Sequence, residues 1–218
     1  MDIIVTIFSL IILLFSVVIH ELAHGSVAYA LGDPTAKYEG RLTLNPIKHL
    51  DPFGSVILPV LLYLSHSPFL VGWAKPVPIN PYNFSDQKWG SLKVAIAGPS
   101  SNLILALFFG LIIRFTPTNY ILSFSSFFMI VGYTVLINLG LALFNLIPIP
   151  PLDGSWIFFT LFPSFVVVKD FLSRYGIFIL ILLLLLNGLF FLTGLEMGLF
   201  HLIMGDNGDI IVHLLTQI

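Results

Sequence analysis

Among 218 residues there is no cysteine, and only 9% carry a charge. The missing cysteines exclude disulfides, thiolate metal ligands and thiol catalysis together. The shortage of charge excludes an ordinary soluble domain, in which about 25% of residues are charged. Nine Lys and Arg against eleven Asp and Glu leave a net charge of −2, so no basic face is offered to nucleic acid. The N-terminus also lacks the basic region and small-residue cleavage site of a secretory signal, so the first apolar run is expected to be retained.

What the chain does have is apolar surface. Hydrophobic residues make up 57%, and the mean hydropathy is +1.02. A lipid bilayer is the solvent that such a chain requires. A spanning helix needs about 20 apolar residues. Ile3 to Leu31, Leu92 to Phe115, Ser123 to Ile147 and Tyr175 to Leu195 each supply such a run. Pro52 to Val71 is apolar too, but Pro59, Ser65, His66 and Pro68 interrupt it. The tail from Glu196 to Ile218 mixes acids and histidines with apolar residues and reads as interfacial helices. The loops 32–51 and 72–90 are rich in Pro, Gly and Asn, with alternating patches such as RLTL that suggest short β-strands. There is no internal repeat and no linker. The expected architecture is an all-α multi-pass membrane protein, one domain over residues 1–218, with a core over about 3–162 and a C-terminal span and tail over 163–218.

The first apolar run ends in HELAH, residues 20–24. On a helix, residues four apart share a face, so His20 and His24 can reach one Zn²⁺ while Glu21 serves as a base for an attacking water. At this His and Glu content, chance supplies roughly 0.002 such motifs per chain, so composition alone does not explain it. Ionisable groups in an apolar zone also demand a role, because each costs roughly 2.5–3.5 kcal/mol on insertion scales. A catalytic zinc site needs a third protein ligand. The end of the fourth apolar run offers NLIPIPPLDGS, residues 145–155, with Asp153 as the candidate. An Asp-Gly after prolines is also a turn signal, and both readings apply here. Proline residues 148, 150 and 151 stop regular helix and let the segment return toward the bundle.

HELAHG together with NLIPIPPLDG resembles the site-2 proteases, zinc metalloproteases that cut within membranes. GRLTLNPIKHLDPFGS (40–55), GWAKPVPIN (72–80) and AGPSSN (97–102) are similar to stretches that this family carries in the same order. The resemblance runs from Ile3 to about Phe162. It implies a single zinc held by His20, His24 and Asp153, with Glu21 as general base. It further suggests that Asn145 polarises the scissile carbonyl or aligns the substrate. Larger members add a PDZ or nucleotide-sensing domain, and this sequence resembles a form without either. The implied substrate is a single-span membrane protein, cut within or near its helix in regulated intramembrane proteolysis. A helix in that state must unwind, and an edge strand can hold the unwound segment. Gly72, Trp73, Ala74, Lys75 and Pro76 are candidates for that strand or its support, since proline suits an edge; a connecting loop is the alternative. Asn102 can bond across helices or line a cleft, with packing preferred.

The metal also orders the topology. If His24 and Asp153 meet, the ends of the first and fourth apolar runs lie at one face. Pro52 to Val71 then starts and ends on that same face, as a re-entrant or interfacial segment. Lys37, Arg41, Lys48, Lys75, Lys88, Lys93, Lys169 and Arg174 fall on that face, and Arg114 on the other. The positive-inside rule makes it cytoplasmic, in a prokaryotic cell membrane. A zinc transporter or sensor, or a membrane scaffold, are the competing readings. Glu21 discriminates, because a hydrolase needs this base and a transporter does not.

Overall fold

The computed structural model describes residues 3–57, 60–61, 64 and 74–216. Its long helices are α1 (Ile3–Ala30), α2 (Gly90–Phe115) and α3 (Ser125–Asn145). All three are long and apolar enough to cross a bilayer. A short helix, α4 (Asp153–Leu161), follows a proline-rich turn. Next come α5 (Val166–Leu185) and α6 (Phe190–Met204), bent by 74° where they meet, and then α7 (Asn207–Thr216). The described residues thus hold three spans, or four if the bent pair counts as one.

The apolar core lies between α2, α3, α6 and α7. Ile113, Ile121, Val135, Leu139, Phe200, Met204 and Ile211 are all fully buried there. The tail therefore differs from the expected interfacial helices: α6 and α7 pack into the main core. Polar contacts fasten this end. Asn207 Nδ2 donates to the carbonyls of Ile113 at 2.8 Å and Thr116 at 2.9 Å, and Arg114 Nη1 donates to Leu202 O at 2.7 Å. Hydropathy does not reveal such packing, because lipid-facing and helix-facing apolar residues read alike.

The expected span Tyr175 to Leu195 is also broken. Its middle contains Asn187-Gly188, a turn dipeptide. Asn187 takes φ 56°, and Gly188 N donates to Leu183 O at 2.7 Å, ending α5.

The short β-strands are not found among the described residues. A single antiparallel bridge pairs Leu50 with Ala74. Lys75 N donates to His49 O at 2.9 Å, but Pro76 and Pro78 have no N–H to extend a ladder. RLTL forms a tight turn, in which Thr43 N donates to Arg41 O. Gly72 and Trp73, and most of Pro52 to Val71 including His66, lie outside the described residues.

The bridge nevertheless fixes a point of topology. It places the two flanks of residues 58–73 at one end of the bundle, where α1 ends and α2 begins. The loops on both sides of that segment therefore share one face, and the Thr118–Ser123 connection between α2 and α3 lies at the other. Single cysteines at exposed Tyr38 and Tyr82 should react with an impermeant thiol reagent from the same side of the membrane, and one at Tyr120 from the opposite side. Labelling of Tyr38→Cys and Tyr82→Cys from opposite sides would contradict this arrangement.

Candidate metal centre

One helical turn separates His20 from His24 on α1, so both imidazoles leave the same face. Both are buried, at 6% exposure. The third group arrives through the proline turn after α3. Gly154 lets that turn close, because a Cβ at this position would lie 2.2 Å from Leu146 O. Asp153 Oδ2 then stands 3.1 Å from His20 Nε2 and 3.2 Å from His24 Nε2, and the two Nε2 atoms are 3.1 Å apart. Helix α2 passes over the group at Gly98, where a Cβ would fall 2.3 Å from His24 Nε2 and 2.6 Å from His20 Nε2. The glycine of AGPSSN is thus a consequence of the site.

A buried polar chain sets the protonation of the rings. Thr134 O can only accept, so Asn138 turns its Nδ2 toward it at 2.8 Å, and the same nitrogen donates to Ser16 Oγ at 2.9 Å. Asn138 Oδ1 then accepts from Asn102 Nδ2 at 2.8 Å, which turns Asn102 Oδ1 toward His20 Nδ1 at 2.6 Å. An amide oxygen takes a proton from the ring, so His20 carries its proton on Nδ1. Val94 O, 2.7 Å from His24 Nδ1, imposes the same tautomer there. In the neutral rings Nε2 is then the atom free to bind a metal, and both Nε2 atoms face the buried Asp153 Oδ2.

Three donor atoms converging on one point need a cation between them, either a proton on Nε2 or a metal ion that takes its place. Tetrahedral zinc with bonds of about 2.0–2.1 Å spaces its donors roughly 3.3–3.4 Å apart. The observed separations of 3.1–3.2 Å fit that ion. Among the described residues, His20, His24 and Asp153 are the group of three able to hold a metal.

Glu21 faces the same cavity, of about 320 Å³, which Pro76, Val77, Ala95, Asn145 and Trp156 also line. Its Oε2 accepts from Val77 N at 2.7 Å. Prolines flank Val77, so this is the one backbone N–H of residues 76–78. The surrounding segment is tied down on both sides. Arg41 Nη2 donates to Lys75 O at 2.6 Å and Pro76 O at 3.3 Å, and Asn80 N donates to Asp33 Oδ2 at 2.7 Å. Asp33 is fully buried. Burial alone would push its carboxyl up, but hydrogen bonds from Thr35, Asn80 and Asn83 outweigh this and hold it below its usual range. Its anchoring contribution is therefore present at neutral pH and is lost as pH falls through that depressed value.

Residues 113–185 match peptidase family M50. The matched stretch contains Asp153 and ends 23 residues past Phe162, beyond the part of the sequence that carries the resemblance. Over 164 residues the chain is 46% identical to a Bacillus subtilis (strain 168) protein provisionally named zinc metalloprotease YwhC, covering 72% of this chain and 70% of that one. The chain belongs to peptidase family M50, the site-2 proteases. A Methanocaldococcus jannaschii protein provisionally named zinc metalloprotease MJ0611 is 35% identical over 158 residues, covering 71% of this chain and 70% of that one. A Mycolicibacterium smegmatis protein provisionally named zinc metalloprotease Rip2 is 30% identical over 141 residues, 65% of this chain and 52% of its own length. No solved structure matches. This M50 chain is a zinc metalloprotease and a multi-pass integral membrane protein.

The structure brings His20, Glu21, His24, Asp153 and Asn145 to one cavity. Asn145 Nδ2 donates within its own helix, to Leu141 O at 2.9 Å, which leaves its second N–H for other partners. Of the proposed substrate strand, Pro76 reaches the cavity, while Ala74 and Lys75 hold the segment against residues 49–50. Sequence reasoning missed Ser16, Asn138 and Arg41. Asn138 had a signal: a lone amide in the apolar run VLINLGL, where a polar group in lipid needs a partner. His49 is 1% exposed, and its Nε2 contacts Thr43 O at 2.9 Å. Asn102→Leu should lower zinc affinity by about 10–100-fold, the usual cost of losing the group that orients a histidine ligand. Competition with a calibrated chelator measures this; unchanged affinity would remove Asn102 from that role.

Proposed function

We propose that this M50 protease hydrolyses peptide bonds within or beside the transmembrane helices of membrane-tethered proteins. The observation that carries this reading is the placement of the His20–His24–Asp153 group and Glu21 on a cavity walled by candidate membrane spans. Zinc, when bound, supplies Lewis acidity and makes water a nucleophile near neutral pH. His20, His24 and Asp153 hold it, with their Nε2 and Oδ2 atoms already aimed at one point. Glu21 is the general base. The Val77 N–H fixes its Oε2, which leaves Oε1 to take the proton from water and deliver it to the leaving amide nitrogen. Asn145 donates to the scissile carbonyl or to a neighbouring substrate amide. The extended segment from Ala74 to Pro76 supports the unwound substrate, as a backbone edge rather than as part of a sheet.

The substrate is a single-span helix that enters from the bilayer and unwinds at the cavity. Glycine or proline near the cut favours unwinding, since each weakens a helix by about 1–3 kcal/mol. The loops at the metal end carry most of the basic residues, which by the positive-inside rule supports a site near the cytoplasmic face of a prokaryotic cell membrane. Residues 1–218 act as one membrane-embedded catalytic domain.

The test is cleavage of a one-span model substrate by purified protein in liposomes. Glu21→Gln should abolish product while zinc content stays at one per chain, because the amide is nearly isosteric but takes no proton. A Gly-Pro pair in the cytoplasmic half of the substrate should raise cleavage. Undiminished proteolysis by Glu21→Gln, or equal cleavage of soluble unfolded casein, would overturn the reading.

A further inference from the structure

A second cleft of about 320 Å³ adjoins the metal cavity and shares Ser91 and Trp156 with it as common walls. Its other lining residues include Lys88, Lys169, Ser155 and Ser173, and none of its lining residues is acidic. In a chain with nine Lys and Arg in total, two cations in one cleft are a concentration. Neither lysine has an ion-pair partner among the described residues. The neighbouring acids are committed or turned elsewhere. Asp86 pairs with Lys93 at 2.6 Å and accepts from Trp89 N at 2.9 Å. Asp170 follows Lys169 on α5, and consecutive helical residues point about 100° apart.

Both lysines also stand where a helix is least hospitable to a cation. Lys88 lies two residues before α2, and Lys169 lies in the first turn of α5. The N-terminus of a helix carries partial positive charge; Asp86 offsets that of α2 through Trp89 N, whereas α5 has no acid in its first turn. Two exposed lysines near two helix N-termini, with Ser91 and Ser173 in the same lining and no acid among it, make a cationic, hydrogen-bonding cleft. An anion is the occupant that satisfies it. The shared walls with the metal cavity mean that a chain stretched across the zinc site reaches this cleft within a few residues, at about 3.3 Å per extended residue.

We propose that this cleft is a specificity subsite for an acidic side chain, Asp or Glu, located within a few residues of the scissile bond in the substrate. This rests on the proposed cleavage of membrane-tethered chains and names one feature of the sequences chosen. Lys88 and Lys169 pair with the carboxylate, and the Ser91 hydroxyl, which lines both cavities, supplies a hydrogen bond beside it. The carboxylate also anchors the unwound segment on the far side of the zinc from the lipid-embedded part of the helix.

The experiment uses one-span peptides bearing Glu, Gln or Lys singly at each of six positions on either side of the cut. Two quantities are read: KM with the active enzyme, and Kd with the zinc-loaded Glu21→Gln protein, which reports binding even if no peptide is cut. At one or two adjacent positions Glu should lower both by about fivefold relative to Gln, the scale of exposed charge pairing, and Lys should raise them. Salt at about 1 M should erase the difference, since it shortens screening to about 3 Å. In the variant carrying both Lys88→Glu and Lys169→Glu, the preference should reverse toward the Lys peptide. Equal Kd for the Glu, Gln and Lys peptides at every position in the unmodified enzyme would overturn the subsite. A Glu preference that persists in the double variant would do the same. If Kd follows the predicted pattern but no peptide is cut, the subsite stands and the reading of cleavage fails.

Discussion

Three buried electron-pair donors aimed at one another are the constraint on which the rest of this protein depends. His20 Nε2, His24 Nε2 and Asp153 Oδ2 sit 3.1–3.2 Å from one another, and Asn102 and Val94 each hold a ring proton on the opposite nitrogen, which leaves Nε2 as the ligand atom of each ring. In a low-dielectric interior such an arrangement is costly without a compensating cation. The architecture accepts that cost as a condition for binding zinc. It does so with rigid parts: α1 carries the rings, α2 packs over them at Gly98, and α3 supplies Asn138 to fix the amide that fixes His20. A loop could not hold these tautomers, whereas helices locked by a buried polar chain can.

The second constraint is the bilayer. Backbone outside helices is tolerated at membrane depth only where protein covers it or it lines a wet cavity. The two irregular segments at the site meet this requirement. The turn from Leu146 to Leu152 closes through its own backbone bonds and the close approach at Gly154. The segment from Lys75 to Asn80 is held by His49, Arg41, Glu21 and Asp33. One of those bonds joins the scaffold to the chemistry: Val77 N–H both satisfies the backbone and orients Glu21. The proposed catalytic base is thus set by the same segment proposed to support the substrate.

The sequence made some of this legible and hid the rest for identifiable reasons. HELAH could be read because a spacing of four is local helix geometry and needs no knowledge of the fold. Asp153 could be paired with it because the topology of apolar runs brings their ends together. The partners of His20 could not be read, since they depend on how α2 and α3 are rotated about their axes, and hydropathy is nearly uniform around both. The strand expectation failed because alternation in RLTL and extension in KPVPIN are necessary for a ladder, but prolines at 76 and 78 remove its donors. The tail was misplaced because an apolar face that meets lipid and one that meets another helix have the same composition. Asn187-Gly188 was a readable break inside the most hydrophobic run, masked by the apolar residues around it.

The central claim is that two imidazoles and one carboxylate of this chain hold a single zinc. X-ray absorption at the zinc edge of the purified protein tests it most directly. The account predicts a shell of nitrogen and oxygen scatterers at about 2.0–2.1 Å, with outer-shell features of two imidazoles in the unmodified protein and of one in His24→Ala. A spectrum with no imidazole contribution, or one left unchanged by His24→Ala, would contradict it.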